Sequence, residues 1–244
     1  VLPRSGSTNG GTIVYVSGTG FKNTSNLYCR FGTLSAVHGV YISSTNVSCV
    51  SPMYQIGTIS VEVTTNGVDY SEDMVQYRYY ASPAISHIVP SSGPTEGGTV
   101  VSVYGRNFID SDSLYCRFGN DSTVAGRWVS SDRVECQTPS MVASNVVVEV
   151  TNNGFDYTAN RVEFTVLPES VVTSVDPTFG PIGTSTSVTV HGSGFVFSRS
   201  LYCRFGLLSV AAMFVNDTMV VCSAPDAAQG SVDVRVSSNG VDYS

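Results

Sequence analysis

Cysteines are the residues of this sequence best suited, by type and spacing, to covalent chemistry. There are six, in three pairs about twenty residues apart: Cys29 and Cys49, Cys116 and Cys136, Cys203 and Cys222. No C-x-x-C motif occurs, so neither a zinc ribbon nor a thioredoxin-type site is indicated. An even count with one regular spacing predicts a disulfide within each pair, and therefore an oxidising compartment. In the chain-entropy model, such a bridge stabilises a small domain by about 3 kcal/mol.

Four N-glycosylation sequons offer a second kind of covalent site. Their acceptor residues are Asn23, Asn46, Asn120 and Asn216. Such sequons are expected on the exterior of a secreted glycoprotein, and N-linked glycans are therefore expected here. They also arise by chance in chains rich in Asn and Ser, so their occupancy stays open.

Residues that could support catalysis or metal binding do not converge. His38, His87 and His191 occupy unrelated positions, whereas a catalytic or metal centre needs a cluster. We therefore expect the histidines to be surface or turn residues. We expect no enzyme activity, no cofactor and no metal site.

Three glycine-containing motifs superficially resemble phosphate loops: Gly18-Thr19-Gly20-Phe21, Gly105-Arg106-Asn107-Phe108 and Gly192-Ser193-Gly194-Phe195. A phosphate loop needs a helix N-terminus behind it, and no helical pattern follows. The favoured interpretation is a strand-ending turn whose Phe fills the core.

Recurrent carboxylates at Asp69, Asp156 and Asp242 raise the alternative of a calcium loop. A calcium cage needs several oxygen ligands, and each copy offers one carboxylate there. We favour an aspartate that caps its own turn.

A repeated Tyr/Arg pair is the one candidate contact surface, since both residue types are favoured at interfaces. Its members alternate with the cysteines and should face away from the core: Tyr28, Arg30, Tyr115, Arg117, Tyr202 and Arg204. The alternative is a pair within the sheet on a solvated face, which we favour. Trp128 has no counterpart in the other copies, and we expect it in the core rather than on a ligand platform.

Composition excludes several classes of partner. The 244 residues carry a net charge of −7, and Lys22 is the only lysine. Binding phosphates requires clustered Lys and Arg, so nucleic acid is not an expected partner. No apolar run approaches the roughly 20 residues of a membrane span, so no direct membrane insertion is expected in this segment.

The dominant feature is an internal repeat, which fixes the architecture. The phrase Leu-Tyr-Cys-Arg-Phe-Gly occurs three times, beginning at Leu27, Leu114 and Leu201. Each copy alternates apolar and polar residues in short runs between turn signals, without helical periodicity. Asn153-Gly154 in the second copy is a strong signal for a two-residue hairpin. We predict an all-β chain of three tandem immunoglobulin-like sandwiches of about seven strands each.

The second copy resembles the IPT/TIG domain almost end to end. The resemblance lies in residues 90–99 with their Gly-Gly-Thr, in Gly105-Arg106-Asn107-Phe108, in Cys116-Arg117-Phe118-Gly119, in Cys136-Gln137-Thr138-Pro139 and in Asn153-Gly154-Phe155-Asp156-Tyr157. The resemblance implies the immunoglobulin-like fold found in plexin-type receptors, in surface proteins and in some transcription factors. The cysteine pair resembles the extracellular, disulfide-containing branch.

We divide the chain into residues 1–80 with an incomplete opening strand, 81–167, and 168–244 without a last strand. Both ends fall where successive domains join, so we expect the chain to be part of a longer array or to receive strands from a neighbouring molecule. The expected function is that of structural or adhesive modules in a long extracellular or cell-surface glycoprotein, with a filament as one option. We expect its partners to be proteins, either further copies of itself in an assembly or other surface proteins. Alternatives are a receptor or adhesin ectodomain that binds one protein partner, and accessory modules of a carbohydrate-active enzyme.

Overall fold

The protein is built from β-strands and turns only, in the parts of the chain that the structure describes. These are residues 1–120, 122–226 and 229–244 of a computed structural model. No helix in those ranges is long and apolar enough to cross a membrane. The predicted all-β class is confirmed.

The first repeat consists of two facing sheets. Its strands are β1 (Ser5–Ser7), β2 (Ile13–Ser17), β3 (Tyr28–Phe31), β4 (Val37–His38), β5 (Val40–Ser43), β6 (Asn46–Val50), β7 (Gly57–Thr64) and β8 (Val75–Tyr80). One sheet has the order β1-β8-β7-β3-β4 and the other β2-β6-β5. β1 runs parallel to β8, and the other pairs are antiparallel.

The second repeat has the same plan and adds an opening strand. Its strands are β9 (Ala84–Val89), β10 (Ser92–Pro94), β11 (Val100–Arg106), β12 (Tyr115–Phe118), β13 (Ser122–Ala125), β14 (Arg127–Ser130), β15 (Arg133–Gln137), β16 (Ser144–Thr151) and β17 (Val162–Leu167). The sheets have the orders β10-β17-β16-β12-β13 and β14-β15-β11-β9. The prediction of about seven strands missed the short strands β10 and β13.

Hydrogen bonds join the strands of the third repeat into one continuous sheet. Its strands are β18 (Val171–Asp176), β19 (Thr186–Ser193), β20 (Tyr202–Phe205), β21 (Leu208–Asn216), β22 (Met219–Ala224) and β23 (Val234–Ser237), in the order β18-β19-β22-β21-β20-β23. β21 joins both halves because it pairs with β20 and with β22. In the second repeat the corresponding segment is divided at Gly126 into β13 and β14. Gly126 is closely packed, since an added Cβ would lie 3.0 Å from Val134 and 3.1 Å from Leu114.

Each repeat has its own hydrophobic core. The alternation of buried and half-exposed residues along strands such as β12 and β15 follows from the period of two of a β-strand. The second core contains Phe118 and Phe164, whose rings meet edge to face at 5.7 Å, and the first contains Phe31 and Tyr77 in the same arrangement. No hydrophobic cluster spans two repeats among the described residues. The domain limits of 1–80, 81–167 and 168–244 stay predictions.

Disulfides connect the two halves of every repeat. Bonds join Cys29 to Cys49, Cys116 to Cys136 and Cys203 to Cys222, each across a Cα–Cα distance of 6.3 Å. In each pair, the first cysteine lies on the Leu-Tyr-Cys-Arg-Phe-Gly strand and the second on the opposite face of the core. All six cysteines are buried, so the bridges pack as part of the hydrophobic cores as well as closing loops.

Two local predictions are wrong. Asn153-Gly154 does not form a two-residue hairpin, because residues 152–161 separate β16 from β17. Trp128 does not lie in the core: it is 38% exposed on β14, and its indole N–H donates to the Phe108 carbonyl at 3.2 Å. An indole N–H needs a hydrogen-bond partner, which a purely apolar core does not supply.

Candidate functional site

Each repeat contains an Asn-Gly turn that is held by side-chain hydrogen bonds. The three turns are residues 66–70, 153–157 and 239–243. In the second copy, Asn153 Oδ1 accepts the backbone N–H groups of Phe155 at 3.0 Å and Asp156 at 2.9 Å. Asn153 Nδ2 donates to Asp156 Oδ2 at 2.8 Å. Gly154 has a φ of 79°, a left-handed conformation that glycine adopts without strain. The turn therefore holds an Asn amide and an Asp carboxylate side by side.

The turn of repeat 2 docks onto repeat 1. Asp156 Oδ2 accepts a hydrogen bond from the Thr12 hydroxyl at 2.6 Å, and Asn153 Nδ2 donates to the Ser5 carbonyl at 2.9 Å. Thr12 is 1% exposed and Asn153 is 5% exposed, so water is excluded from both groups. A hydrogen bond to a charged carboxylate is stronger than one between neutral groups, which favours a fixed geometry.

The turn of repeat 3 docks onto repeat 2 in the same way. The Thr99 hydroxyl donates to Asp242 Oδ2 at 2.7 Å, and Asn239 Nδ2 donates to the Ser92 carbonyl at 2.8 Å. We call the receiving surface the threonine edge, which is Thr12 with Gly6 in repeat 1 and Thr99 with Gly93 in repeat 2. The corresponding threonine edge of repeat 3 is Thr186 with Gly180. At Gly93, an added Cβ would lie 3.0 Å from the Phe164 ring and closer still to Thr99 Oγ1. Glycine therefore leaves room for the threonine hydroxyl.

Side-chain hydrogen bonds also fix the linkers. In the first linker, the Ser82 carbonyl accepts from Asn107 Nδ2 at 2.8 Å and the Ser82 hydroxyl meets that of Ser7 at 2.5 Å. In the second, the Ser170 hydroxyl donates to the Gly194 carbonyl at 3.3 Å and lies 3.2 Å from the Ser238 hydroxyl. Both linkers are thereby bonded to the repeat before or after them.

An arginine on the Leu-Tyr-Cys-Arg-Phe-Gly strand supports each turn from behind. The guanidinium of Arg117 lies 3.9 Å from the centre of the ring of Tyr157, the residue that follows Asp156 in sequence. The same stacking joins Arg30 to Tyr70 and Arg204 to Tyr243, each at 4.0 Å. A cation over an aromatic face is attracted by the ring quadrupole. The arginine therefore positions the turn that carries the aspartate.

The arginines differ in their acidic partners. Arg117 Nε donates to Glu149 at 2.9 Å and Arg30 Nε to Glu62 at 3.0 Å, each across a strand pair. In repeat 3, the residue opposite Arg204 is Arg235. Within the described residues, the buried Nε of Arg204 has no hydrogen-bond partner. The third turn is therefore held by stacking without the ion pair.

The aspartates have a different role from the one that the sequence predicts. The prediction that Asp69, Asp156 and Asp242 cap their own turns is wrong, because the asparagine three residues earlier bonds the turn amides in each copy. At both junctions the aspartate bonds a different repeat. The signal available in the sequence was the Gly-Gly-Thr at Thr12 and Thr99, which recurs with the same period as the aspartates.

The remaining candidate residues lie on separate surfaces. Tyr28, Tyr115 and Tyr202 are half-buried beside the arginines, and the arginines stack on other tyrosines, in contacts within one repeat. Three of the sequon asparagines are exposed, namely Asn23, Asn120 and Asn216. The fourth, Asn46, is half-buried on β6. His38 packs against Tyr28 and His87 stacks on Tyr104 at 4.7 Å. In the described ranges, no three His, Cys, Asp or Glu side chains are grouped to hold a metal ion.

The three glycine motifs are tight turns in which a phenylalanine folds back onto a glycine. At Gly105, an added Cβ would lie 2.7 Å from the Phe108 ring, which is 2% exposed. β11 continues through Gly105 to Arg106, so the strand does not stop at the glycine. Asn107 has a φ of 63° where the other copies have glycine, and asparagine tolerates that conformation.

Tyrosines border the first junction. Burial raises the pKa of Tyr80 well above its usual value, and the negative charge of Asp156 raises it further. Burial likewise raises the pKa of Tyr77, which the charge of Asp156 raises further. Burial also raises the pKa of Tyr79, which packs on Tyr77 inside the core of repeat 1. The corresponding residues of repeat 2 are Phe164, Val166 and Leu167, so only the first repeat places phenols here.

Tandem immunoglobulin-like sandwiches, each closed by a disulfide between its halves, define a class of multidomain β-protein. The sequence matches the IPT/TIG domain over residues 1–79, 83–166 and 170–244, and the chain belongs to that family. The resemblance inferred from the repeated motifs is confirmed.

Among curated proteins, human fibrocystin-L is 27% identical over 200 residues, which cover 80% of this chain and 5% of that protein. Rat plexin-A3 is 22% identical over 239 residues, which cover 92% of this chain and 13% of that protein. Among solved structures, the full extracellular region of plexin A4 matches 98% of this chain and 22% of its own length, at 17% identity and a TM-score of 0.48. The chain thus spans a small part of the proteins it resembles.

Proposed function

We propose that this chain is a structural ectodomain segment of a long extracellular or cell-surface protein of the receptor type, in which three IPT/TIG domains are held at fixed angles. The observation that carries the proposal is the hydrogen bond between a buried threonine and a half-buried aspartate that recurs at both junctions, Thr12–Asp156 and Thr99–Asp242. A contact used once could be incidental. The same contact repeated one domain later is what a rigid array requires, because each domain then continues the geometry of the last.

The location follows from the disulfides. Three buried bridges persist in an oxidising environment and are rare in reducing compartments, which places the chain outside the cell or at its surface. The partners are other proteins, as expected for an ectodomain. N-linked glycans at the four sequons, absence of nucleic-acid binding and absence of catalysis are further parts of this proposal.

The rigidity is tested by removing one junction carboxylate. Asp156→Ala in the full chain should widen the range of angles between repeats 1 and 2, measured by small-angle scattering and NMR residual dipolar couplings. Asp69→Ala is the matched control, since Asp69 occupies the same turn position without a contact to another repeat in the described residues. The proposal is wrong if the three repeats of the unaltered chain already tumble independently.

One observation favours a second candidate function, an ectodomain that binds a specific protein. Phe197 is 76% exposed and packs edge to face on Phe214 at 6.0 Å. The residues that correspond to Phe197 are Asn23 and Asp110, so Phe197 is particular to repeat 3. The strand registers place Tyr41 and Trp128 at the position of Phe214, so that half of the patch is aromatic in every repeat. Aromatic residues are enriched at the centres of protein interfaces, and an aromatic pair that is exposed in one repeat alone suits a specific partner, whereas repeated contacts serve the array.

A further inference from the structure

The Asn-Gly turn of repeat 1 has the internal geometry of the two junction turns. Asn66 Oδ1 accepts the backbone N–H groups of Val68 and Asp69, each at 2.9 Å. Asn66 Nδ2 donates to Asp69 Oδ2 at 2.8 Å, the bond that Asn153 makes to Asp156. Its supporting arginine is also in place, with Arg30 stacked on Tyr70.

Only the environment of this turn differs. Asn66 and Asp69 are exposed, whereas Asn153 is 5% and Asn239 is 9% exposed. Within residues 1–120, 122–226 and 229–244, neither Asn66 nor Asp69 bonds another repeat. An amide and a carboxylate held ready in the docked arrangement lose little conformational entropy on docking.

The complementary half of the contact occurs at the opposite end of the array. Thr186 follows Gly180 as Thr99 follows Gly93, and an added Cβ on Gly180 would meet the Thr186 side chain as at Gly93. Thr186 is half-exposed, whereas Thr12 and Thr99 are buried beneath their aspartates. The chain therefore presents one turn and one threonine edge whose chemistry matches.

We propose that the Asn-Gly turn of repeat 1 is a docking surface for the threonine edge of another IPT/TIG domain. In this contact Asp69 accepts the hydroxyl of a threonine equivalent to Thr99, and Asn66 donates to a backbone carbonyl equivalent to that of Ser92. The inference rests on the proposed function and extends it, since it assigns a partner class to a surface outside both junctions.

The occupant is set by the pairing of groups. Asn66 Nδ2 and Asp69 Oδ2 bond each other at 2.8 Å, and each keeps further capacity: the amide has a second N–H to donate, and the carboxylate has further lone pairs to accept. A hydroxyl beside a strand carbonyl supplies both, as Thr12 and Ser5 do for repeat 2. A cation satisfies the carboxylate but repels the amide N–H. All samples in the test therefore contain EDTA, so that a cation cannot produce the result.

The test places a complete domain in front of repeat 1. Residues 84–174 are joined directly to Val1, so that Val1 takes the position that Val175 has after the second linker. The added domain is ligated without isotope to a ¹⁵N-labelled chain of residues 1–244, so that amide exchange measured by NMR reports only the turns 66–70 and 153–157 of that chain, the second as reference. Intact mass after alkylation without reduction checks that the added cysteine pair is bridged. A second extension, residues 1–87 before Val1, offers Thr12 in place of Thr99 as donor.

We expect exchange in the turn 66–70 to slow by about tenfold in the extended chain, because opening then requires undocking. Asp69→Ala, or Thr99→Val in the added domain alone, should remove this protection. Unchanged exchange at 66–70 with a protected turn at 153–157, in both extensions, would overturn this inference and leave the proposed function standing. Equally fast exchange at 66–70 and 153–157 in the unaltered chain would instead overturn the proposed function.

Discussion

Asp156 and Thr12 are 144 positions apart in sequence, and their side chains share a hydrogen bond of 2.6 Å between two domains. Asp242 and Thr99 repeat this relationship over 143 positions, at 2.7 Å. Each aspartate accepts a hydrogen bond from an asparagine of its own turn, and the tyrosine that follows it in sequence stacks on an arginine. The repeated unit therefore specifies both a domain and the way in which the next domain attaches.

Removing one junction hydroxyl should loosen one junction. Thr99→Val preserves the shape of the side chain but leaves the half-buried Asp242 carboxylate with Asn239 as its one donor within the described residues, at a cost of about 1 kcal/mol to docking. We expect faster amide exchange in the turn 239–243 and an unchanged turn 153–157.

Thr186→Val is the control for that substitution, since Thr186 occupies the same position in repeat 3 and is half-exposed. Its effect should stay within about 0.5 kcal/mol, as for most surface substitutions. Equal effects of the two variants would show that Thr99 acts through the stability of its own repeat and not through Asp242.

The supporting arginine should affect the angle between repeats only where its turn docks onto another repeat. Arg117→Ala removes the stacking on Tyr157 and the bond to Glu149, so we expect looser docking of the turn 153–157 by about 1 kcal/mol. Arg30→Ala should speed exchange at 66–70 without changing the angles between repeats. A change of those angles in the Arg30 variant would contradict the assigned role.

Alkaline pH should destabilise repeat 1 before repeat 2. Burial raises the pKa of Tyr79 and Tyr80 above the value of 10.0 for an exposed phenol, so above about pH 10 the unfolded chain releases protons that the folded chain retains. This contribution to stability is complete below pH 10 and is lost as pH rises through the folded pKa. Tyr80→Phe should flatten the loss, measured by exchange in β7 and β8 against β16 and β17.

The three bridges should be local and individually stabilising. Peptide mapping without reduction should yield Cys29–Cys49, Cys116–Cys136 and Cys203–Cys222, and a bridge between repeats would contradict the structure. Replacing Cys116 and Cys136 together by alanine should destabilise repeat 2 by about 3 kcal/mol. Repeats 1 and 3 of the same variant serve as internal references.

The sequence alone determined the all-β class, the three tandem units and the family. Those properties follow from local order: a strand period of two, turn residues at fixed offsets and cysteines that recur with the repeat. The position of Trp128 could not be predicted in this way, because the period of a strand predicts a buried aromatic residue unless the partner of its N–H is known. That partner, the Phe108 carbonyl, lies 20 positions away in the loop that follows β11.

Only the tertiary structure decided what the aspartates do. In sequence, Asp156 stands three residues after Asn153, and that proximity predicts a cap within the turn. The bond to Thr12 depends on how two separately folded cores are placed, and no pattern within one repeat encodes that placement. Asp69 and Asp156 have the same local sequence logic and the same turn geometry, yet one is exposed and the other bonds a buried threonine. The difference is physical: a hydrogen bond between domains exists only where a second domain is present to exclude water and supply the donor.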